Sequence, residues 1–365
     1  MQFDDHIFMR VALSLAERGR GAVSPNPMVG CVLVRQRQII ASGWHAMFGG
    51  PHAEVVALNQ LSEALDLSDC TLYVTLEPCA HQGKTPPCVD AIIAAGIRRV
   101  VVAIHDPHPL VSGRGIARLR EQGVTVTVGI SAAAAQTLNQ YYCYAQQYHA
   151  PYVIAKWALS LDGKTVANQA HDRRFSCLET QAKMHALRQQ VDAIVIGAGT
   201  LVADNPQLTA RHPEHQTPLP HQQQPWRVVV SARLAFDTQY QLFQDALAHK
   251  TLIICPDGVA EEKLKPFLAC GVGVLRVVSD VDGVIAPATI TAALYTHGCQ
   301  SVLLEGGMRF LTPWFASTLI DEYRVEVAPF IVGDLPQKQA LSVCPETIAG
   351  HTYITGTAQR GGRYV

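Results

Sequence analysis

A histidine and a carboxylate stand two positions apart in "PHAE" (51–54), and two cysteines follow in "TLEPCAHQGKTPPC" (75–88). His52, Cys79 and Cys88 together suit zinc. One neutral imidazole and two thiolates cancel its charge and leave a fourth tetrahedral position for water. A structural site would want four protein ligands, and no fourth Cys lies at close spacing, so the open position argues for catalysis. Glu54 is then a proton carrier, taking a proton from zinc-bound water and passing it to a leaving group. Singly these parts mean little. A His-x-Glu is common by chance, and two cysteines can be buried thiols; a structural zinc, or no metal, is the alternative.

The elements around them decide how the groups meet. Side chains at i and i+2 diverge by roughly 200° around a helix, so His52 and Glu54 converge only in front of its first turn. The pattern predicts a helix from Asp4 or Asp5 to Gly19, with Ile7, Phe8, Val11, Ala12 and Leu15 inward. Strands follow at 28–34 and in QIIASGW, then the helix carrying Ala53, Val56, Ala57 and Leu61 on one side. Strand 71–76, helix 88–96, strand 98–104, helix 115–122, strand 124–128 and one helix over 131–147 complete a three-layer α/β domain. Cys79 thus follows a strand and Cys88 opens a helix. YHAPY (148–152) reads as the junction, dividing the chain into domains 1–147 and 151–365.

The 365 residues are 48% hydrophobic and 16% charged with a net charge of −1, which leaves no electrostatic footprint for nucleic acid or an anionic membrane. No apolar run approaches the ~20 residues of a membrane helix. The first residues show no signal-peptide pattern, and the ten cysteines do not read as a disulfide framework; Cys31, Cys70, Cys255 and Cys270 read as buried thiols. A cytoplasmic protein is expected. α/β enzymes of this size often associate, so a homo-oligomer is expected too.

His-x-Glu followed by Pro-Cys and a second Cys is the signature of zinc nucleobase deaminases, which expel ammonia from an amidine carbon. Two residues usually separate those cysteines; here eight do. That longer form, with "SPNPMVGCVLV" ahead of it and "GWHAMFGGPHAE" between, resembles the bifunctional riboflavin-biosynthesis deaminase-reductase family over essentially the whole chain. The resemblance implies a cytidine-deaminase-like zinc domain and a phosphorylated pyrimidine substrate. Asn26, in its stiff Pro-Asn-Pro turn, would meet the pyrimidine; His45 would contact substrate; His81 and Lys84 would hold the ribose phosphate. The plainer readings are a turn Asn, a surface His and a solvated loop charge.

The second half carries no GxGxxG, but glycines end three strand-like segments: "KWALSLDGKTVA", "DAIVIGAG" and "SVLLEGG". Glycine at strand C-termini lets a ligand approach backbone, at the edge where α/β sheets bind nucleotides. These segments resemble the family's reductase half, which implies a dihydrofolate-reductase-like fold and NADPH. By that resemblance Ala158, Thr200, Asp204, Gly306 and Gly307 would line the dinucleotide, and Arg188, Leu208, Arg211 and Glu305 would hold substrate. Asp204 or Lys156 would assist proton delivery, though Lys156 in a strand also fits a structural ion pair. The stretch Leu208–Trp226 reads as an exposed loop. Two departures from the family pattern touch cofactor contacts: Asp172-Arg173-Arg174-Phe175-Ser176 replaces a Ser-x-Trp-Ile-Thr stretch, and Ser231-Ala232 an Asp-Ser pair.

Two other functions compete. A nucleic-acid-editing deaminase would require a basic surface and salt-dependent binding. A zinc-stabilised nucleotide sensor would hold metal without exchangeable water and would leave Glu54 without a purpose.

Overall fold

The structure, a computed structural model, describes residues 2–62, 65–80, 86–108, 111–165, 176–212, 217–280, 282–331, 339–348 and 351–358. Its first part contains α1 (Gln2–Ala16), β1 (Gly30–Arg35), β2 (Gln38–Trp44), α2 (Ala53–Leu58), β3 (Thr71–Leu76), α3 (Cys88–Ala94), β4 (Arg99–Ile104), α4 (Arg114–Glu121), β5 (Thr125–Val128), α5 (Ala132–Leu138) and α6 (Gln140–Tyr148). The strands form one sheet in the order β2-β1-β3-β4-β5. β1 runs antiparallel to both neighbours, while β3, β4 and β5 are parallel.

Strand alternation divides the core into two layers. Leu72 and Val74 pack with Ala53, Ala57, Val89, Ile92, Ile116 and Leu119 of α2, α3 and α4. Tyr73, Val101 and Ala103 face the other way, against Met9, Ala12, Ala135 and Tyr142 of α1, α5 and α6. Gly43 lets α2 lie directly on β2: a Cβ there would sit 2.4 Å from the Ala53 carbonyl oxygen. That contact fixes the helix start bearing His52 and Glu54.

The second part contains β6 (Tyr152–Ser160), α7 (Leu178–Arg188), β7 (Ala193–Gly197), α8 (Ala198–Asp204), β8 (Trp226–Val230), α9 (Gln241–Gln244), β9 (Thr251–Pro256), α10 (Glu261–Ala269), β10 (Gly273–Val277), α11 (Pro287–Thr296), β11 (Ser301–Leu304), α12 (Met308–Phe315) and β12 (Glu322–Ala328). Its seven strands are parallel, in the order β10-β9-β8-β7-β11-β6-β12. β6, the first in sequence, lies beyond β11 from β7, so the winding reverses at the β7/β11/β6 edge. A crevice at the strand C-termini is expected at such a switch point. β13 (Phe330–Ile331), β14 (Gln339–Ile348) and β15 (His351–Ala358) form a separate antiparallel ladder. Among the described residues no helix is long and apolar enough to cross a membrane.

Several sequence expectations need correction. The helix expected over 131–147 breaks at Asn139, whose carboxamide accepts from Met28 N–H at 2.8 Å and donates to Met28 C=O at 2.9 Å. Asp5 is no cap: it is buried inside α1, accepting from the Tyr73 hydroxyl at 2.7 Å and Arg99 at 2.8 Å. Ile7 is exposed, and Met9 fills the core instead. The 208–226 stretch is buried at Leu208, Ala210 and Gln224, and the Gln224 amide is hydrogen-bonded to both backbone groups of Ala210. Cys31, Cys70 and Cys255 are buried as expected, whereas Cys270 is half-buried.

Candidate active sites

His52 occupies the N-cap position of α2, Cys79 lies three residues beyond β3, and Cys88 is the first residue of α3. Their ligand atoms all lie within 4.8 Å of one another. His52 Nδ1 is 3.2 Å from Cys88 Sγ and 3.6 Å from Cys79 Sγ. Nitrogen and sulfur ligands sharing a tetrahedral zinc lie about 3.6 Å apart, so the donor set fits that ion in type and spacing. Cys79 also accepts the Cys88 backbone N–H at 3.4 Å.

The charge pattern of the cluster follows from burial and contact. Cys79, which accepts from the Cys88 thiol and from His52, is held well below the ordinary thiol range. Cys88, facing that sulfur, is pushed far up. Glu54 is 3% exposed, and its burial raises its carboxyl to about 6 against the opposing charge of His52. A bound cation opposes the upward shift of Cys88.

The cluster opens onto a cleft of about 570 Å³ whose walls include Asn26, His45, His52, Glu54, Glu77, Cys79, Asp106, His108 and Tyr142. The Asn26 side-chain amide lies 3.1 Å from His45 Nε2, and His45 Nδ1 lies 3.0 Å from the Pro51 carbonyl oxygen. A carbonyl only accepts, so Nδ1 carries the proton and Nε2 accepts from Asn26. His45 is 2% exposed, its pKa lowered first by burial and then by His52, in keeping with a neutral ring. His81 and Lys84 lie outside the described residues.

Glu77 and Asp106 are buried carboxylates that the sequence reading does not single out. Glu77 Oε1 accepts N–H groups of Gly115 (2.9 Å) and Ile116 (3.2 Å), and Oε2 those of Gly113 (3.0 Å) and Asp106 (3.3 Å). It ties the end of β3 to the start of α4. Asp106 accepts from the Tyr142 hydroxyl at 2.8 Å. Glu77 stands in the "EPC" run, but nothing in sequence spacing reveals which backbone groups it serves.

The second cleft, about 800 Å³, lies at the reversal of strand order. Its lining brings together Lys156, Ala158, Arg188, Thr200, Asp204, Glu305, Gly306 and Gly307. Thr200 Oγ1 accepts the Gly307 N–H at 3.3 Å. Gly306 is required there, because a Cβ would come within 2.2 Å of the Phe310 ring. Gly307 caps α12, leaving backbone N–H groups at the cleft where a phosphate would meet them. Size, bare glycine backbone and helix start fit a dinucleotide.

Arg188 and Glu305 pair with each other in this cleft, and Arg188 also donates to the Thr209 carbonyl at 3.0 Å. Lys156 pairs with Glu326 at 3.3 Å. Leu208 and Arg211 are not in the lining: the Leu208 side chain packs in the core, and Arg211 donates to Thr209 Oγ1 and Gln207. Positions 172–175 lie outside the described residues, whereas Ser176 donates to Glu326 at 2.6 Å. Ser231 is 5% exposed and accepts the Leu234 N–H at 3.1 Å, a turn-closing role.

Comparison with known proteins adds a family to this geometry. Residues 3–104 match the cytidine and deoxycytidylate deaminase zinc-binding region, and residues 151–345 match the RibD C-terminal domain. The riboflavin biosynthesis protein RibD of Aquifex aeolicus is 37% identical over 331 residues, covering 90% of this chain and 88% of that one. The structure of Acinetobacter baumannii RibD superposes with a TM-score of 0.79 at 29% identity, covering 99% of this chain and 100% of that one. A Thermotoga maritima structure described as a diaminohydroxyphosphoribosylaminopyrimidine deaminase/5-amino-6-(5-phosphoribosylamino)uracil reductase gives 0.77 at 29% identity, covering 97% and 98%. A deaminase-type zinc fold joined to a parallel-sheet reductase fold in one chain leaves one conclusion: the protein belongs to the RibD family of riboflavin-biosynthesis enzymes, bifunctional deaminase-reductases.

Proposed function

We propose that residues 1–147 hydrolyse the exocyclic C2 amine of 2,5-diamino-6-ribosylamino-4(3H)-pyrimidinone 5′-phosphate. Residues 151–365 then reduce the ribosyl chain of the product to ribityl with NADPH, giving 5-amino-6-(5-phosphoribitylamino)uracil. The observation that carries the reading is the convergence of His52, Cys79 and Cys88, with the buried Glu54 and the first two of these residues lining one cleft.

His52, Cys79 and Cys88 would hold Zn²⁺, which supplies a Lewis acid able to bring the pKa of water near neutrality. Glu54 accepts a proton from the attacking water and returns it to the departing amine, so that water and the C–NH2 group become a carbonyl and ammonia. A carboxyl near 6 suits both halves of that transfer. Asn26 gives its N–H to His45, which turns its carbonyl oxygen toward an amine on the pyrimidine edge. His45 fixes that orientation through Pro51.

In the second cleft NADPH would supply the hydride. Gly306, Gly307 and Thr200 form an open floor for the dinucleotide beside the start of α12, with Ala158 and Asp204 on its sides. Arg188 and Glu305 set the substrate end, and Lys156 and Asp204 are the groups from which a proton can reach the reduced centre.

The order of steps gives the test. Purified protein given the diamino substrate should release ammonia without any nucleotide, and should oxidise NADPH, in preference to NADH, only after ammonia appears. NADPH oxidation that precedes or replaces ammonia release would overturn the sequence.

A further inference from the structure

The deaminase cleft is not walled by the first sheet and its helices alone: Tyr295 from the last turn of α11, with Gly298 and Gln300 from the link between α11 and β11, complete it. Gln300 is a carboxamide at 7% exposure, and a buried amide needs partners. Its Nε2 donates at 2.8 Å to the carbonyl oxygen of Pro25, the residue before Asn26. We propose that Gln300, a residue of the reductase half, is a positioning residue for deamination: it holds the Ser24–Pro27 turn so that Asn26 meets the substrate base. The inference rests on the deaminase reading above.

Three features make Gln300 a fixed support. Its backbone N–H donates to Asp192 Oδ2 at 2.8 Å, and its carbonyl accepts the Tyr152 N–H at 2.8 Å, so the side chain leaves a clamped backbone. Asp192 itself is locked by the Ser301 N–H and hydroxyl, each at 3.0 Å, and it also takes a hydrogen bond from Ser24. The second half therefore grips the turn at two consecutive residues, Ser24 and Pro25.

Among the described residues few other hydrogen bonds fix the turn. Pro25 and Pro27 have no N–H to donate. Asn26 N–H closes on Val23 at 2.8 Å, and beyond the turn Met28 is pinned by Asn139. Between these anchors the Pro25 carbonyl is where lateral force is applied. Asn26 then passes the alignment to His45, whose ring lies edge-on to His52 with centroids 5.6 Å apart.

The test uses the full-length, zinc-loaded enzyme and the variants Gln300→Met, which keeps bulk but removes the donor, Asn26→Ala, and their combination. Ammonia release is measured on the diamino substrate, and NADPH oxidation separately on the deaminated intermediate. Loss of one net hydrogen bond predicts a fall of about tenfold in kcat/KM for ammonia release in Gln300→Met. Zinc content and reduction of the intermediate should stay at the wild-type level, since Gln300 does not line the second cleft. In the double variant the loss should equal that of Asn26→Ala alone, because a residue acting through another adds nothing once that other is gone. Unchanged ammonia release in Gln300→Met, additive losses in the double variant, or a parallel fall in both activities would each overturn the inference. Wild-type enzyme that releases no ammonia would instead remove the deaminase reading itself.

Discussion

Arg188 and Glu305 meet as a two-pronged ion pair in the second cleft, with Nε to Oε1 at 2.7 Å and Nη2 to Oε2 at 2.6 Å. Both side chains are largely buried, so each charge depends on the other. Arg188 still directs Nη1 to Thr209, which links α7 to the segment after α8. In the proposed function, a phosphorylated substrate would meet an arginine already oriented by a carboxylate.

Glu305→Gln should therefore lower stability by about 3 kcal/mol, the scale for removing one partner of a buried pair. Arg188 outweighs the burial of Glu305 and holds its carboxyl below the ordinary value. A depressed carboxylate contributes fully above its unfolded pKa of about 4.3, and loses that contribution as pH falls through the lower folded value. Denaturant melts across pH 3–7 should show the gap between wild type and variant shrinking on the acid side. A gap independent of pH would mean that the charge of Glu305 is not what stabilises the pair.

Chelation of zinc should abolish ammonia release and leave reduction of the deaminated intermediate intact, because among the described residues the two clefts share no lining residue. Reloading should restore ammonia release and raise thermal stability, by about 4 kcal/mol at a metal concentration 1,000 times Kd. Cys88→Ser should need far more zinc for the same effect. Full ammonia release from metal-free enzyme would remove the metal from the chemistry.

Glu54→Gln keeps the shape of the side chain but cannot carry the proton. It should retain zinc while ammonia release falls about 10²- to 10⁴-fold. NADPH oxidation should fall equally with the diamino substrate, yet be normal with the deaminated one. Ammonia release within a factor of about two of wild type would sink the proton-carrier role.

Much of this organisation was legible from side-chain type and period. The alternation of Leu72, Tyr73 and Val74 marks a strand between two helical layers, and the structure puts them on opposite faces. His52, Cys79 and Cys88 were readable because metal chemistry restricts residue type as well as spacing. Asn139 was not: its helix-compatible surroundings hide a carboxamide that serves the backbone of Met28, far away in sequence. Leu208 likewise carries a positive φ of 51° and a core-facing side chain, set by contacts such as that of buried Arg227 with the Gln207 carbonyl. Gln300 is hidden in sequence for the same reason, since its partner belongs to the other half of the chain.

Both oxygens of Glu77 accept backbone N–H groups, two from α4 and two from the segment between β4 and α4. Glu77→Gln replaces one oxygen with an NH2 group, and either orientation sets that donor against at least one pair of N–H donors. The unmatched donors should cost about 2 kcal/mol. Because Pro78 and Cys79 follow directly, and a Cβ on Gly115 would already stand 2.0 Å from the Pro78 carbonyl oxygen, any shift of this junction moves Cys79, one of the three residues proposed to hold zinc. Zinc affinity, measured by competition with a chromogenic chelator, should fall about tenfold, the usual effect of disturbing the groups that orient ligands. Gly115→Ala should weaken zinc in the same direction by pushing on the same carbonyl. Wild-type zinc affinity in both variants would mean that Cys79 is held in place by something other than the tie between β3 and α4.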